Sequence, residues 1–313
     1  MKVIRFFFTT KLSLFEFFTI STLCSIHILL FLYFTIPKAT EYRLDGLNTS
    51  NCRSCQYNYR ENVVYSSRDD YIFTYDYENN SEYEIILRSA RSSGFIGKIV
   101  IFTKNMNHLD KDDCDVQYFS TKTEKRISNS FKKYFDLYSY LSLAQHDIYR
   151  LLLVDPKKVF LMKDPFKIFH NPNRVYSFKQ SKTFLPREPS VCKDLWNSKW
   201  PVYYDNHFIA GGSLQVKRFL RLLTLNSTLK SCFSSDEDHV VLSYYGNVRF
   251  FGNENIHYIA VATDNPDIGF KGKSLQFGSI PENSTPNIST YPSLLINYKE
   301  IPGFSDFLKK NCI

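Results

Sequence analysis

Between residues 70 and 155 the chain alternates short apolar runs with stretches of helical period, an order that few folds accept. "DYIFTYD" (70–76), "GKIVIFT" (97–103), "CDVQYFS" (114–120) and "YRLLLVD" (149–155) have the length and the β-branched or aromatic content of strands. Among them, "SEYEIILRSARSSG" (81–94) reads as a helix that Ser81 caps and Gly94 stops. "SNSFKKYFDLYSYLSLAQH" (128–146) reads as a second helix, with apolar residues at 131, 134, 135, 138, 141 and 143. The order is β-α-β-β-α-β. Strands that are apolar without alternation are buried on both faces, which a mainly parallel sheet between helices provides. Right-handed crossovers then predict an open α/β sheet whose ligand crevice lies beyond the carboxyl ends of its strands.

The N-terminal part has a different character. Residues 12 to 36 carry only Glu16 and His27 as ionisable groups, and "FFTISTLCSIHILLFLYFTI" (17–36) is otherwise uncharged. At about 1.5 Å per residue this run spans roughly 30 Å, the thickness of a bilayer core. A secretory signal peptide is the competing reading, but its apolar part is shorter and ends at a small-residue cleavage site, whereas this run exits into Ile36-Pro37-Lys38. With Lys2, Arg5 and Lys11 ahead of it, a signal anchor leaves the N-terminus cytosolic and sends the rest across the membrane. The expected organisation is a cytosolic tail (1–11), a transmembrane anchor (12–36), a stem without periodicity (37–67) and one domain (68–313), with no linker or internal repeat dividing the last.

Asn48, Asn79, Asn226, Asn283 and Asn287 each open an Asn-x-Ser/Thr triplet, which agrees with a lumenal placement. Six cysteines (Cys52, Cys55, Cys114, Cys192, Cys232 and Cys312) follow the apolar run, an even number suited to disulfides in an oxidising compartment. Cys52-Arg53-Ser54-Cys55 admits a redox pair or half a zinc site as well as a structural disulfide. No second close Cys/His pair completes a metal set, so a structural disulfide is expected. The net charge of +8 comes from scattered lysines and arginines with no zinc-finger or RNA-binding signature, which argues against a nucleic-acid partner. The same charge suits anionic substrates.

Asp155 ends the apolar strand at the edge where such sheets bind nucleotides, although Asp155-Pro156 would equally start a turn. Lys157 and Lys158 follow, either as ligands for an anion or as two solvated lysines on that turn. Gly211-Gly212 would admit a ligand close to the backbone, or simply a tight packing contact. Asp236 and Asp238 stand before an apolar helical stretch, where acidic residues also suit a helix start. His207 and His239 are assigned no catalytic part.

The stretch from Tyr149 to Phe166 resembles the central signature of GT-A-fold nucleotide-sugar glycosyltransferases, "V-x-x-x-D-x-R-D-V-x-F-Q-x-D-P-F". "LRSARSSGFIGKIVIFT" (87–103) is similar to that family's early helix and second strand. "NHFIAGGSLQVKRFLRLL" (206–223) looks like its Gly-Gly segment, "SSDEDHVVLSYYGN" (234–247) like its Ser-Ser-Asp-Gln-Asp helix start, and "PSLLINYKEIPGF" (292–304) stands in place of its His-Gln-Tyr-Asp-Arg motif.

This resemblance implies a GT-A-like open, mainly parallel sheet flanked by helices. It also implies a lumenal enzyme of the Golgi or endoplasmic reticulum that moves a sugar from a nucleotide-diphosphate donor to a glycan or glycoprotein acceptor. Asp155, Lys157, Lys158, Asp164, Gly211 and Gly212 would then bind the donor, and Asp236 or Asp238 would serve as the catalytic carboxylate. Such a reaction builds negative charge on the departing diphosphate, which metal-dependent members stabilise with Mn²⁺ or Mg²⁺ on acidic ligands. Here Lys158 stands where the second aspartate belongs, Met162 replaces a glutamine, and Ile296, Asn297, Lys299 and Glu300 depart from the C-terminal motif. Asp155 is the one candidate metal ligand that remains, and a protonated lysine beside it repels a divalent cation. Two expectations follow: an enzyme whose lysines take over from the metal, or a catalytically degenerate module of the same fold that binds or scaffolds in the lumen.

Overall fold

The computed structural model describes residues 22, 25–27, 55, 64–78, 82–104, 115–121, 126–144, 147–180, 189–197, 200, 203–247, 257–262, 267–269 and 291–312. Two compact units, Met1–Tyr42 and Arg43–Ile313, divide the chain. In the first, only Thr22 and Ser25–His27 are described, as exposed helical residues. The expected anchor and tail therefore lie almost entirely outside the described residues, and among the described residues no helix is long and apolar enough to cross a membrane.

The second unit is α/β. Its elements run β1 (Asp70–Asp76), α1 (Tyr83–Ser92), β2 (Lys98–Thr103), β3 (Val116–Ser120), α2 (Asn129–Leu143), β4 (Arg150–Val154), β5 (Val159–Leu161), β6 (Arg174–Gln180), β7 (Tyr203–Gly212), α3 (Ser213–Leu225), α4 (Asp238–Asn247), β8 (His257–Ala262), β9 (Ile268–Gly269), β10 (Leu294–Ile296) and α5 (Phe304–Asn311). Seven strands form one sheet in the order β3-β2-β1-β4-β7-β6-β8. All neighbours are parallel except where β7 meets β4 and β6. The β-α-β-β-α-β order read from the sequence is the order of the first six elements. Helix α1 ends where expected, with Gly94 at φ +86°, a conformation that costs glycine little.

The apolar strands are covered on both faces. Tyr71, Phe73, Val100, Phe102, Leu151 and Leu153 face helices α2, α3 and α4. Ile72, Ile99, Ile101, Leu152 and Val154 face α1 and a small sheet of order β5-β10-β9. That small sheet alternates in turn: Val159, Leu161, Leu294 and Ile296 point to the main sheet, while Phe160 and Leu295 pack beneath α5 with Phe304, Phe307 and Leu308. Each such side chain fully removed from water contributes about 1.5–3 kcal/mol before entropy is counted.

Among the described residues two disulfides are present. Cys55 joins Cys312, 257 residues away, and Cys192 joins Cys232. A Cys52–Cys55 redox pair is thereby excluded, and Cys55 has the structural part expected of the Cys-x-x-Cys segment. Cys55 is buried in the cluster beneath α5. Hydrogen bonding likewise reaches N-terminal of residue 68, since Asp164 Oδ2 accepts from the amides of Ser66 (2.7 Å) and Tyr65 (3.2 Å).

Candidate functional site

Strand β1 lies between β2 and β4, so the chain order reverses there and a crevice opens between the carboxyl ends of β1 and β4. Tyr75 and Asp76 end one strand and Asp155 follows the other. Asp155 is buried, and its Oδ1 accepts from the Lys157 amide at 2.9 Å while its main-chain oxygen accepts from Lys158 (3.1 Å) and Val159 (2.9 Å). This side-chain-stabilised turn swings the chain from β4 into β5. The turn reading and the edge reading of Asp155 thus describe one arrangement.

The two lysines diverge. Lys157 points outward, its Nζ 2.5 Å from Glu78 Oε2 and 3.9 Å from Glu82 Oε2, and Glu82 also holds Lys299 at 2.8 Å. The hydrogen bond to Glu78 raises the Lys157 pKa, and the same bond lowers that of Glu78. With both side chains about half exposed, this pair adds little stability and yields readily to a better anion. Beside it a small, shallow cleft of about 20 Å³ is lined by Tyr75 to Glu78, Glu82, Asn129, Pro156 and Lys157. Lys158 instead turns inward, with its Nζ donating to Asn206 Oδ1 at 3.1 Å.

The reversal of β7 supplies the rest. Because it runs against β4, its beginning lies beside the end of β4, with Phe208 opposite Val154. Asp205, Asn206 and His207 therefore sit at the site edge. Asn206 Nδ2 donates to Asp238 Oδ1 at 2.8 Å, Tyr134 donates to Asp238 Oδ2 at 3.0 Å, and Lys133 Nζ lies 3.3 Å from the same oxygen. Lys133 also donates to the Asn206 carbonyl at 3.2 Å. Asp238 is fully buried at the first turn of α4, and Lys133 is nearly so. Burial, then the Asp155 and Asp238 carboxylates and a hydrogen bond to Asp155, push the Tyr75 phenol well above its ordinary value.

His207 Nδ1 lies 2.9 Å from Asp205 Oδ1, a close but poorly aligned approach, and its Nε2 lies 2.9 Å from Asn297 Oδ1. Burial raises the Asp205 pKa, but His207, the Lys158 ammonium and the Asn206 amide outweigh it and hold the carboxyl well below the usual range. Asn297, at φ +50°, and Tyr298, whose hydroxyl donates to the Pro156 carbonyl at 3.2 Å, fasten the C-terminal segment onto the turn after β4. The segment 292–304 thus packs against the turn after β4 through Asn297 and Tyr298.

The other expected residues lie apart from this network. Asp164 is buried near the opposite edge of the sheet, where it caps the turn Pro165–Lys167 by accepting from the Phe166 amide at 3.0 Å and ties down Tyr65 and Ser66. Its neighbours are Asp70 and Ser66, and Arg150 grips Asp70 through two bonds of 2.9 and 2.6 Å. Gly211 and Gly212 pair with Leu151 and Arg150, at the amino end of β4. A Cβ at Gly211, which has φ +144°, would strike the Arg174 carbonyl, and one at Gly212 would strike that of Pro172. Their geometry is that of tight strand packing. Asp236 is exposed and accepts from Ser130 Oγ at 2.9 Å, beside the start of α2. Glu237 holds the 190–192 loop through four bonds; burial raises its pKa, but the amides of Cys192, Ser190 and Val191 and the Ser190 hydroxyl bring it down to about 2.

Of the expected residues, then, the structure brings Asp155, Lys158 and Asp238 together, with Lys157 at the rim. Tyr75, Lys133, Tyr134, Asp205 and Asn206 were missed, and His207 was set aside. The signals were present: Asp-Asn-His interrupts an otherwise apolar strand, and Lys132-Lys133 sits inside the apolar stripe of α2 between Phe131 and Tyr134.

The donor set does not suit Mn²⁺ or Mg²⁺, which take several oxygen ligands. Asp155 already accepts from the Lys157 amide, the Lys157 and Lys158 side chains that follow it are ammonium groups, and Asp238 is engaged by Lys133. Among the described residues no group of three or more His, Cys, Asp or Glu could hold a metal ion. No family model and no curated protein matches the chain.

Proposed function

We propose that this protein is a glycosyltransferase of GT-A-like fold, anchored as a type II membrane protein of the Golgi or endoplasmic reticulum, that binds a nucleotide-diphosphate sugar at the carboxyl edge of β1 and β4. The carrying observation is the meeting of Asp155, Lys158 and Asp238 at the point where the strand order reverses, beside an open cleft rimmed by Lys157. In this reading Lys157 leaves Glu78 for the donor diphosphate and Lys158 supplies a second positive charge from below. The two ammonium groups offset the charge that grows on the departing diphosphate as the sugar–phosphate bond breaks and an acceptor hydroxyl attacks. Asp155 holds the turn that presents both lysines.

A second reading, a lumenal binding module without turnover, is favoured by one observation. The Asp238 carboxylate, one of the two expected as the catalytic carboxylate, is fully buried and bonded to Lys133, Tyr134 and Asn206.

The test is thermal stabilisation of the full chain in detergent by UDP- and GDP-sugars, with Mn²⁺ or with EDTA. A ligand specific for the native state raises its melting temperature by mass action. The proposal expects a shift with one donor that survives EDTA, followed by sugar transfer from that donor. A shift without transfer to any acceptor supports the binding module, and no shift with any donor refutes the donor site.

A further inference from the structure

A second concave site lies on the other side of Tyr77. It is a groove of about 300 Å³ between α2 and the outer strand β3, within the size range of small-ligand pockets. Its walls are apolar, formed by Phe119, Ile127, Phe135 and Leu143. Both rings are held by neighbours, Phe119 edge-on to Tyr140 at 5.3 Å and Phe135 edge-on to Phe233 at 5.0 Å, yet each remains partly exposed. Lys132 and Asp136, one helical turn apart and both buried, line it too, as do Ser120, Ser139 and Thr121, whose hydroxyl donates to the Thr103 carbonyl at 3.4 Å.

Tyr77 links this groove to the cleft already described. Its ring lines that cleft, while its hydroxyl donates to Asp136 Oδ2 at 2.6 Å and its face carries the Lys132 ammonium at 4.8 Å. We propose that the groove between α2 and β3 is a carbohydrate-binding site that seats a sugar ring of the acceptor, with Tyr77 between it and the donor cleft. A sugar ring offers an apolar C–H face and a rim of hydroxyls. The groove offers fixed phenyl walls for the first, and a carboxylate, an ammonium and three hydroxyls for the second. A nucleoside diphosphate suits it less well, because the buried Asp136 carboxylate lines it. That the sugar is an acceptor rests on the glycosyltransferase reading above; that the groove takes a sugar does not.

The experiment is saturation-transfer NMR on the full chain in a detergent without a sugar head group. The probes are glucose, galactose, mannose, N-acetylglucosamine and lactose at millimolar concentration. Ser139→Trp fills the groove from an exposed helix position, and Leu143→Trp does so from a second exposed position one turn on. The expected result is transfer to at least one sugar, reduced tenfold or more by either variant, with the donor-induced melting shift unchanged. If the wild-type protein shows no donor shift but loses sugar binding in these variants, the donor site is refuted and the groove stands. The proposal is overturned if no sugar binds, if binding persists in a folded Trp variant, or if the variants abolish the donor shift and leave sugar binding intact.

Discussion

Replacing Asp238 by alanine separates a carboxylate that holds the fold from one that does chemistry. In the wild-type protein Asp238 receives Tyr134 and Asn206 and faces Lys133 at 3.3 Å, all in the interior. Its removal leaves the Lys133 ammonium buried with its carboxylate gone, and breaking one side of such a pair costs about 3–5 kcal/mol. Exchanging both partners for apolar residues, Lys133→Met with Asp238→Leu, avoids that penalty and should recover stability to within about 1–2 kcal/mol of wild type. Urea unfolding of the full chain in detergent reads both values, followed by fluorescence of Trp196 and Trp200, whose rings lie 5.1 and 6.4 Å from Tyr203 at the start of β7. A loss below about 1 kcal/mol in Asp238→Ala, or a double variant no better than the single one, would refute the buried-pair argument. A folded and stable Asp238→Ala protein that had lost only sugar transfer would make the residue a catalytic carboxylate.

Lys158→Ala should weaken the donor-induced melting shift by about tenfold or more in apparent Kd, the scale of one charged hydrogen bond. Lys157→Ala should change unfolding stability by less than about 1 kcal/mol, because both members of its ion pair are about half exposed. Burial, against the opposing bonds from Ser66 and Phe166, pushes the Asp164 carboxyl from 3.8 up to about 6. The native state then holds more protons than the unfolded chain between these values, so this group's contribution is greatest below pH 4 and falls by about 3 kcal/mol as pH rises to 6. Asp164→Asn should flatten that part of the stability–pH curve, and an unchanged slope would count against the assignment. Cys55→Ser opens a loop of 257 residues and should cost about 5 kcal/mol by chain entropy, measured by the same unfolding assay.

The first half of the sheet was legible because most of its strands obey one simple rule, continuous apolarity between helices; β1, β2 and β4 follow it, whereas the edge strand β3 is only half buried, and all four boundaries fall within a residue or two of those expected. The small sheet was not legible. Val159–Leu161 and Leu294–Ile296 are three residues each, too short for a period, and their nearest partners, Leu161 and Leu294, are 133 positions apart in the chain. Asp155 was readable as an edge residue, since the end of an apolar strand marks the edge directly. Gly211 and Gly212 could not be assigned by pattern, because a glycine pair looks the same beside a ligand and beside a neighbouring strand, and only the direction of β7 separates the two. The same direction brings Asp205 and His207 to the site edge; in a strand parallel to β4 they would lie at the far edge. Lys133 escaped because its charge hid a position that helix geometry buries.

The bond between Cys55 and Cys312 also decides how damage to this protein would look. A single protease cut at any point from residue 56 to residue 311 leaves two fragments covalently held together. A nicked molecule would therefore migrate as intact unless the sample were first reduced, and only a comparison of reduced and unreduced samples would tell whole chains from clipped ones.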